Sequence, residues 1–239
     1  MSVKTKKQII GVLGGMGPQA SCDLYRLLIE GARMRYGAIH NDEYPEIIID
    51  SVPVPEGFSH PEEMETIATM LEERVKRLTT FGATMIAIAC NTVCVYKDRL
   101  QSKTPMEVIS TVDEVVKEVA RSHKRVLLLS SSTSLKLRLY QDALDRRGTE
   151  YVHPEAEEYA NIDAIISGVL KGELHSIVSR KIMQLSDRLI RDNPVEAIVL
   201  GCTEMPLIFP NEFNLPVYSS LSILAESILK RYYYRKDSI

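Results

Sequence analysis

Cysteine is scarce in this chain, long apolar runs are missing, and neither sign of charge dominates. Four cysteines in 239 residues (Cys22, Cys90, Cys94, Cys202) cannot build the disulfide framework of a small secreted domain, and they read as reduced thiols. Apolar runs such as Met85 to Cys90 fall far short of the roughly 20 residues that span a bilayer, so no membrane partner is expected. Lys and Arg number 29 against 32 Asp and Glu, a net charge of −3, which offers none of the basic surface that nucleic acid demands. With 45% hydrophobic and 26% charged residues the chain is not of disordered type. Its length fits one large domain or two small lobes.

The N-terminus invites one false reading. Lys4, Lys6 and Lys7 precede an apolar stretch ending Ala20-Ser21-Cys22, which imitates a lipoprotein processing site. A signal core is a plain apolar helix, whereas Gly11, Gly14, Gly15, Gly17 and Pro18 interrupt this one. Export is not expected, and the expected location is cytoplasmic.

Periodicity predicts an α/β fold. Strands are expected at Gln8–Leu13, Glu46–Asp50, Thr84–Ala89, Arg125–Leu129 and Ala197–Leu200, each an apolar run closed by turn residues. Helices are expected from Pro18, over Pro61–Thr80, Asp113–Ala120, Ser134–Arg147, Ile162–Leu170 and Ser176–Arg191. Strands alternating with helices imply parallel sheet.

The two halves repeat. Val12 to Cys90 spans 78 positions and Val126 to Cys202 spans 76. Each cysteine follows an apolar strand and precedes short polar residues, Asn91-Thr92 and Thr203-Glu204. This pattern predicts two similar Rossmann-like lobes, each a mainly parallel sheet flanked by helices. Residues 1–110 with 216–239 form the first, and residues 111–215 the second. Ligands in open α/β sheets bind at the carboxyl edge of the strands, so two facing lobes would set the two thiols on opposite walls of one cleft.

Two opposed thiols suit the inversion of a stereocentre. One group removes a proton from one face, the other returns a proton to the opposite face, and the roles swap for the reverse direction. A free thiol titrates near 8.5, within reach of such work. The developing enolate-like carboxylate needs donors, for which Asn91, Thr92 and Thr203 and helix-start N–H groups are candidates.

Gly14-Gly15-Met16-Gly17-Pro18, Ala89-Cys90-Asn91-Thr92 and Gly201-Cys202-Thr203-Glu204 together resemble the three signature segments of the aspartate/glutamate racemase superfamily. The likeness is nearest to its aspartate-racemase and broad-specificity amino-acid racemase branch, and it runs through the Pro154–Asp163 segment. The resemblance implies a cofactor-independent racemase, a homodimer, acting on a small amino acid or related carboxylate. Cys90 and Cys202 would be its acid/base pair. Met16, Asn91, Thr92, Thr133, Asn161 and Thr203 would line the substrate site, with Gly15, Gly17, Ser51 and Glu204 in support. Three positions depart from the family pattern. Cys94 stands where a histidine is usual, Gly57 lies where the aspartate-specific branch has arginine, and Asn161 replaces a lysine. Both substrate-binding cations are thus missing, and a substrate other than aspartate is expected.

Rival readings of these segments are weaker. Gly15-Met16-Gly17-Pro18-Gln19-Ala20 matches a dinucleotide fingerprint, yet the acidic residue wanted about 20 positions on is missing and Asp50 lies 35 beyond Gly15. Cys90 and Cys94 have helical spacing, but nothing completes a zinc site, so no metal is expected. The five histidines (His40, His60, His123, His153, His175) are expected on the surface. Ser130-Ser131-Ser132-Thr133 is either a capping loop or the counterpart of the Gly14–Gly17 loop. Glu204 either orients Cys202 or places a charge at a helix start. The Tyr232-Tyr233-Tyr234 tail between Arg231 and Arg235 is expected to end the last helix. Two alternatives of other classes remain: a carbon-acid isomerase or decarboxylase on the same scaffold, and a non-catalytic binder of a small ligand.

Overall fold

Four continuous apolar runs set the centre of the fold. The computed structural model describes residues 8–55, 60–210 and 212–234. Strands β1 (Ile9–Gly14), β2 (Glu46–Ser51), β3 (Met85–Ile88) and β4 (Glu107–Ser110) form one sheet in the order β2-β1-β3-β4. Strands β5 (Arg125–Leu129), β6 (Glu150–Val152), β7 (Ala197–Leu200) and β8 (Val217–Ser219) form a second in the order β6-β5-β7-β8. Every pairing is parallel. The inner strands are buried, as strands covered on both faces should be, and the outer strand β4 is buried from Val108 to Ser110 as well. The outer strand β2 leaves Ile49 exposed.

Helices fill the connections: α1 (Pro18–Tyr36), α2 (Pro61–Thr80), α3 (Lys97–Gln101), α4 (Thr111–Val119), α5 (Ser132–Lys136), α6 (Leu139–Asp145), α7 (Tyr159–Leu170), α8 (His175–Asp192) and α9 (Ser220–Tyr234). Proline begins α1 and α2, where its missing N–H costs nothing. Ile67, Ala68, Leu71, Val75 and Leu78 make the buried stripe of α2, as the periodicity predicts. Among the described residues no helix is long and apolar enough to cross a membrane.

By internal contacts the chain divides into two units. The described parts of Met1–Ala89, Tyr96–Ser110 and Leu224–Ile239 make one; Cys90–Val95 and Thr111–Ile223 make the other. The expected division assigned residues 90–95 and 216–239 to the first lobe. The second unit runs on to Ile223 because β8 pairs with β7 and so holds the start of α9.

The expected helix Ser134–Arg147 is corrected to two short helices. Leu137 and Arg138 close α5 through hydrogen bonds from their N–H groups to Thr133 and Leu135. Arg138 then takes a left-handed φ of 53°, which costs a residue with a Cβ of order 1 kcal/mol. Its guanidinium holds Asp142 at 2.9 Å and Asp145 at 3.0 Å, and buried Gln141 returns its amide to the Leu135 carbonyl at 3.0 Å. The break turns Tyr140 inward. The histidine expectation also needs correction, since His123 and His153 are half-buried, against Tyr218 and Tyr151.

In the first unit the tyrosine tail ends α9 as expected. Tyr232 is buried, Tyr233 stacks on Tyr36 at 4.3 Å and donates to the Glu43 carbonyl, and Tyr234 is exposed. Arg235 lies outside the described residues, as do Lys4, Lys6 and Lys7.

Candidate active site

Each sheet ends its central pair of strands in the same way. The last ladder pair of β1 and β3 is Leu13–Ile88, and Ala89 N–H then donates to the Leu13 carbonyl at 3.0 Å. The last pair of β5 and β7 is Leu129–Leu200, and Gly201 N–H donates to the Leu129 carbonyl at 2.7 Å. The next residue in each case is the cysteine. Cys90 and Cys202 therefore hold equivalent stations, two residues beyond a carboxyl strand end.

Both thiols belong to the second unit and are all but enclosed, Cys90 at 8% exposure and Cys202 at 7%. Burial pushes the Cys90 thiol up to about 12, although the N–H groups of Val93 and Thr92 pull the other way. Those amides open the 3-10 turn Thr92–Tyr96, in which Cys94 N–H closes on the Asn91 carbonyl at 3.0 Å. The Cys94 thiol donates back to the Cys90 carbonyl at 3.3 Å and so underlies the turn.

Burial also raises Cys202 well above the ordinary thiol range, and the charge of Glu204 raises it further. The Cys202 thiol donates to Glu204 Oε2 at 2.9 Å, and Thr203 Oγ1 lies 3.0 Å from both carboxylate oxygens. Glu204 is buried, and among the described residues no cation stands within salt-bridge range of it. A buried carboxylate without a cation relies on its hydrogen bonds, here a thiol and a hydroxyl. The same carboxylate also raises Cys90, and the Cys90 sulfur in turn raises Cys202.

Asn91 sits buried next to Cys90. It accepts from the Tyr140 hydroxyl at 3.0 Å and donates to Ser220 Oγ at 3.3 Å. Ser130, fully buried after β5, donates to the Gly201 carbonyl at 2.7 Å. Ser131 caps α5 through Ser134 N–H, and Ser132 donates to Asp163. That segment therefore does serve as a capping loop. Tyr140 and Ser220 went unread in the sequence. Tyr140 looks there like one more apolar-face residue of a helix, and a single serine carries no signal.

The second unit thus brings together Cys90, Asn91, Thr92, Cys202, Thr203 and Glu204, with Thr133 half-buried in α5 and Asn161 exposed on α7. Gly15, Met16, Gly17 and Ser51 belong to the first. There Gly15 has φ of 93° and donates to Ser21 Oγ at 2.9 Å; a Cβ on it would meet the Val52 backbone N at 2.3 Å. Met16 is half-buried, Gly17 caps α1 and Ser51 closes β2. Gly57 lies outside the described residues.

Known proteins are similar to this chain in sequence and in fold. The chain is 24% identical to the broad specificity amino-acid racemase RacX of Bacillus subtilis (strain 168) over 94% of this chain and 98% of that protein. The crystal structure of an aspartate racemase homologue from Pyrococcus horikoshii OT3 superposes with a TM-score of 0.79 at 30% identity, covering 95% of this chain and 99% of that one. The Picrophilus torridus aspartate racemase has the same fold, with a TM-score of 0.78 at 24% identity over 94% of each chain. The Asp/Glu/hydantoin racemase family model matches residues 13–228, and the chain belongs to that family as an isomerase of the amino-acid racemase type.

Proposed function

We propose that the protein inverts the α-carbon of an amino acid with two thiols and no cofactor, Cys90 serving one face and Cys202 the other. The observation that carries this reading is the pair of equivalent stations after β3 and β7, each holding a buried cysteine. The relative described as a broad specificity amino-acid racemase supports an amino acid as substrate.

Without substrate both thiols keep their protons, because burial raises them. A base has to be made when substrate arrives. The α-ammonium of an amino acid brings a positive charge within a few ångströms, which favours the thiolate over the thiol. At Cys202 the proton has a place to go: it moves from Sγ to Glu204 Oε2 along the 2.9 Å hydrogen bond, leaving a thiolate and a neutral carboxyl. The thiolate takes the α-proton, and the electron pair of the broken C–H bond spreads into the substrate carboxylate. The Asn91 amide, the Thr203 hydroxyl and the N–H groups of the Thr92–Tyr96 turn are the donors at hand for that charge. Cys90 gives its proton to the opposite face and is left as thiolate. For the other enantiomer the cycle runs backwards: Cys90, left as thiolate by the preceding turnover and supported by the Thr92 and Val93 N–H groups, takes the α-proton, Cys202 gives its proton to the opposite face, and neutral Glu204 returns its proton to the Cys202 sulfur.

The test is a screen of single L-amino acids for loss of optical rotation, run beside Cys90→Ala and Cys202→Ala. The wild type racemises at least one, and each variant abolishes inversion. Dialysis against a strong chelator leaves the rate intact. Full racemisation by Cys90→Ala would overturn the mechanism. Turnover of a small carboxylic acid with no amino-acid racemisation would move the reading to a carbon-acid isomerase or decarboxylase.

A further inference from the structure

One side chain touches both cysteine turns. Tyr140, at the start of α6, is fully buried. Its hydroxyl donates to Asn91 Oδ1 at 3.0 Å, and Asn91 is bonded in the chain to Cys90. Its ring lies against Gly201, the residue bonded to Cys202, so closely that a Cβ on Gly201 would stand 2.8 Å from Tyr140 Cε2 and 3.1 Å from Cδ2. Ser130 Oγ would lie 3.1 Å from the same Cβ, and its hydroxyl grips the Gly201 carbonyl. The glycine is therefore required by the ring.

We infer that Tyr140 is a positioning residue that fixes the two sulfurs relative to each other: its hydroxyl holds the Cys90-Asn91 turn, and its ring packs against the Gly201-Cys202 turn. A two-base inversion needs both sulfurs aligned with one α-carbon at the same time, and a misplacement of about 1 Å can cost a hundredfold in rate. The hydroxyl also sets the Asn91 amide. With Oδ1 bound by Tyr140, Asn91 presents N–H, one directed to Ser220 Oγ. Burial raises the phenol well above its ordinary range, which favours the protonated, donating hydroxyl. The left-handed turn at Arg138, two residues before this ring, is what separates α6 from α5.

This inference rests on the two-thiol reading, and the experiment separates the two. In Tyr140→Phe the ring stays and the hydroxyl goes. Racemisation is followed in deuterium oxide, with inversion read by chirality and α-proton exchange by NMR. One thiol can still remove the proton, but its partner is no longer held where it must return one. We expect kcat to fall about tenfold with KM within about twofold, and exchange without inversion to rise severalfold over wild type. A packing role alone lowers the melting temperature and leaves the ratio of exchange to inversion unchanged, and that result overturns the inference. Should Tyr140→Phe fail to fold, Gly201→Ala pushes on the ring and leaves the hydroxyl in place. It raises the same ratio, and a wild-type ratio in this variant overturns the inference equally. Cys90→Ala and Cys202→Ala run alongside. If they still invert substrate, the two-thiol reading fails whatever Tyr140→Phe does.

Discussion

The thiol of Cys202 donates to Glu204 Oε2 at 2.9 Å, and both side chains are buried. This pairing holds a proton beside the sulfur in the resting state and offers it an acceptor when the sulfur must become a base. Among the described residues no carboxylate is hydrogen-bonded to the Cys90 thiol in that role. Its polar surroundings are the Thr92 and Val93 N–H groups, which favour the thiolate directly. The two bases are thus activated by different means.

Glu204→Gln removes the negative charge that raises both thiols. Cys202 in this variant should react with iodoacetamide several times faster at pH 8, because more of it is thiolate. Racemisation should nonetheless fall by about a hundredfold, since the proton acceptor is gone. Alkylation rates by mass spectrometry check the first effect and polarimetry the second. If Cys202 in the variant reacts no faster than in wild type, the carboxylate is not what retains the proton.

Reactivity among the four cysteines should order by burial. Cys22 is exposed, whereas Cys90 and Cys202 are buried. With Cys90 pushed up to about 12, roughly one sulfur in ten thousand is thiolate at pH 8 in the empty protein. Limited iodoacetamide should label Cys22 first with activity retained, and Cys22→Ala should be fully active. Loss of activity tracking the first label would place a needed thiol at Cys22.

Raised thiols also tie stability to pH. Cys90 keeps its proton in the native protein up to about 12, whereas the unfolded chain loses it near the ordinary value of 9. Between these limits the native state binds the extra proton, so stability falls as pH rises, by at most about 1.4 kcal/mol per pH unit for this group. Below pH 9 both states are protonated and the full stability remains. Urea unfolding of Cys90→Ser between pH 8 and 11 should show a shallower decline than wild type. Parallel curves would mean that Cys90 titrates normally.

Much of this was readable from residue patterns, and the failures have physical causes. Strand-Cys-polar, met twice at spacings of 78 and 76, points to two cysteine stations from the sequence alone. The central strands and α2 carry strong periodicity, and α2 is found over the very residues expected, Pro61–Thr80. Strands β4, β6 and β8 escaped because they are three or four residues long and are diluted by Glu, Tyr or Ser. Pairing with a neighbour makes them strands, and a pairing leaves no local trace. The break at Arg138 escaped because the left-handed turn falls on a residue with a Cβ, so no glycine marks it. Tyr140 escaped with it, since its role depends on where the break aims the ring.

Gly15 should tolerate no side chain. At φ of 93° a Cβ would lie 2.3 Å from Val52 N and 2.6 Å from Val52 O, so the strain of a left-handed alanine adds to a backbone clash. Gly15→Ala should lose more than about 2 kcal/mol, seen as a lower urea midpoint. A midpoint unchanged from wild type would show that the β1–α1 loop moves freely away from β2.

Substrate choice follows from the missing cations. A second carboxylate on the substrate needs a positive partner, and the two places where relatives of the aspartate-specific branch are expected to supply one hold Gly57 and Asn161. Asn161 is exposed on α7, and Gly57 carries no side chain. The nearest basic residue in sequence to the Ser130–Thr133 loop after Lys136 is Arg138, and Asp142 and Asp145 already engage it. A charge-assisted hydrogen bond contributes about 1.5–3 kcal/mol, so the loss of two should cost aspartate a factor of a hundred or more. We expect kcat/KM for alanine, homoserine or lysine to exceed that for aspartate, measured side by side on one preparation. Asn161→Lys should then narrow the gap. If aspartate leads the others by tenfold or more, another cation serves the second carboxylate, and Asn161→Lys brings no gain.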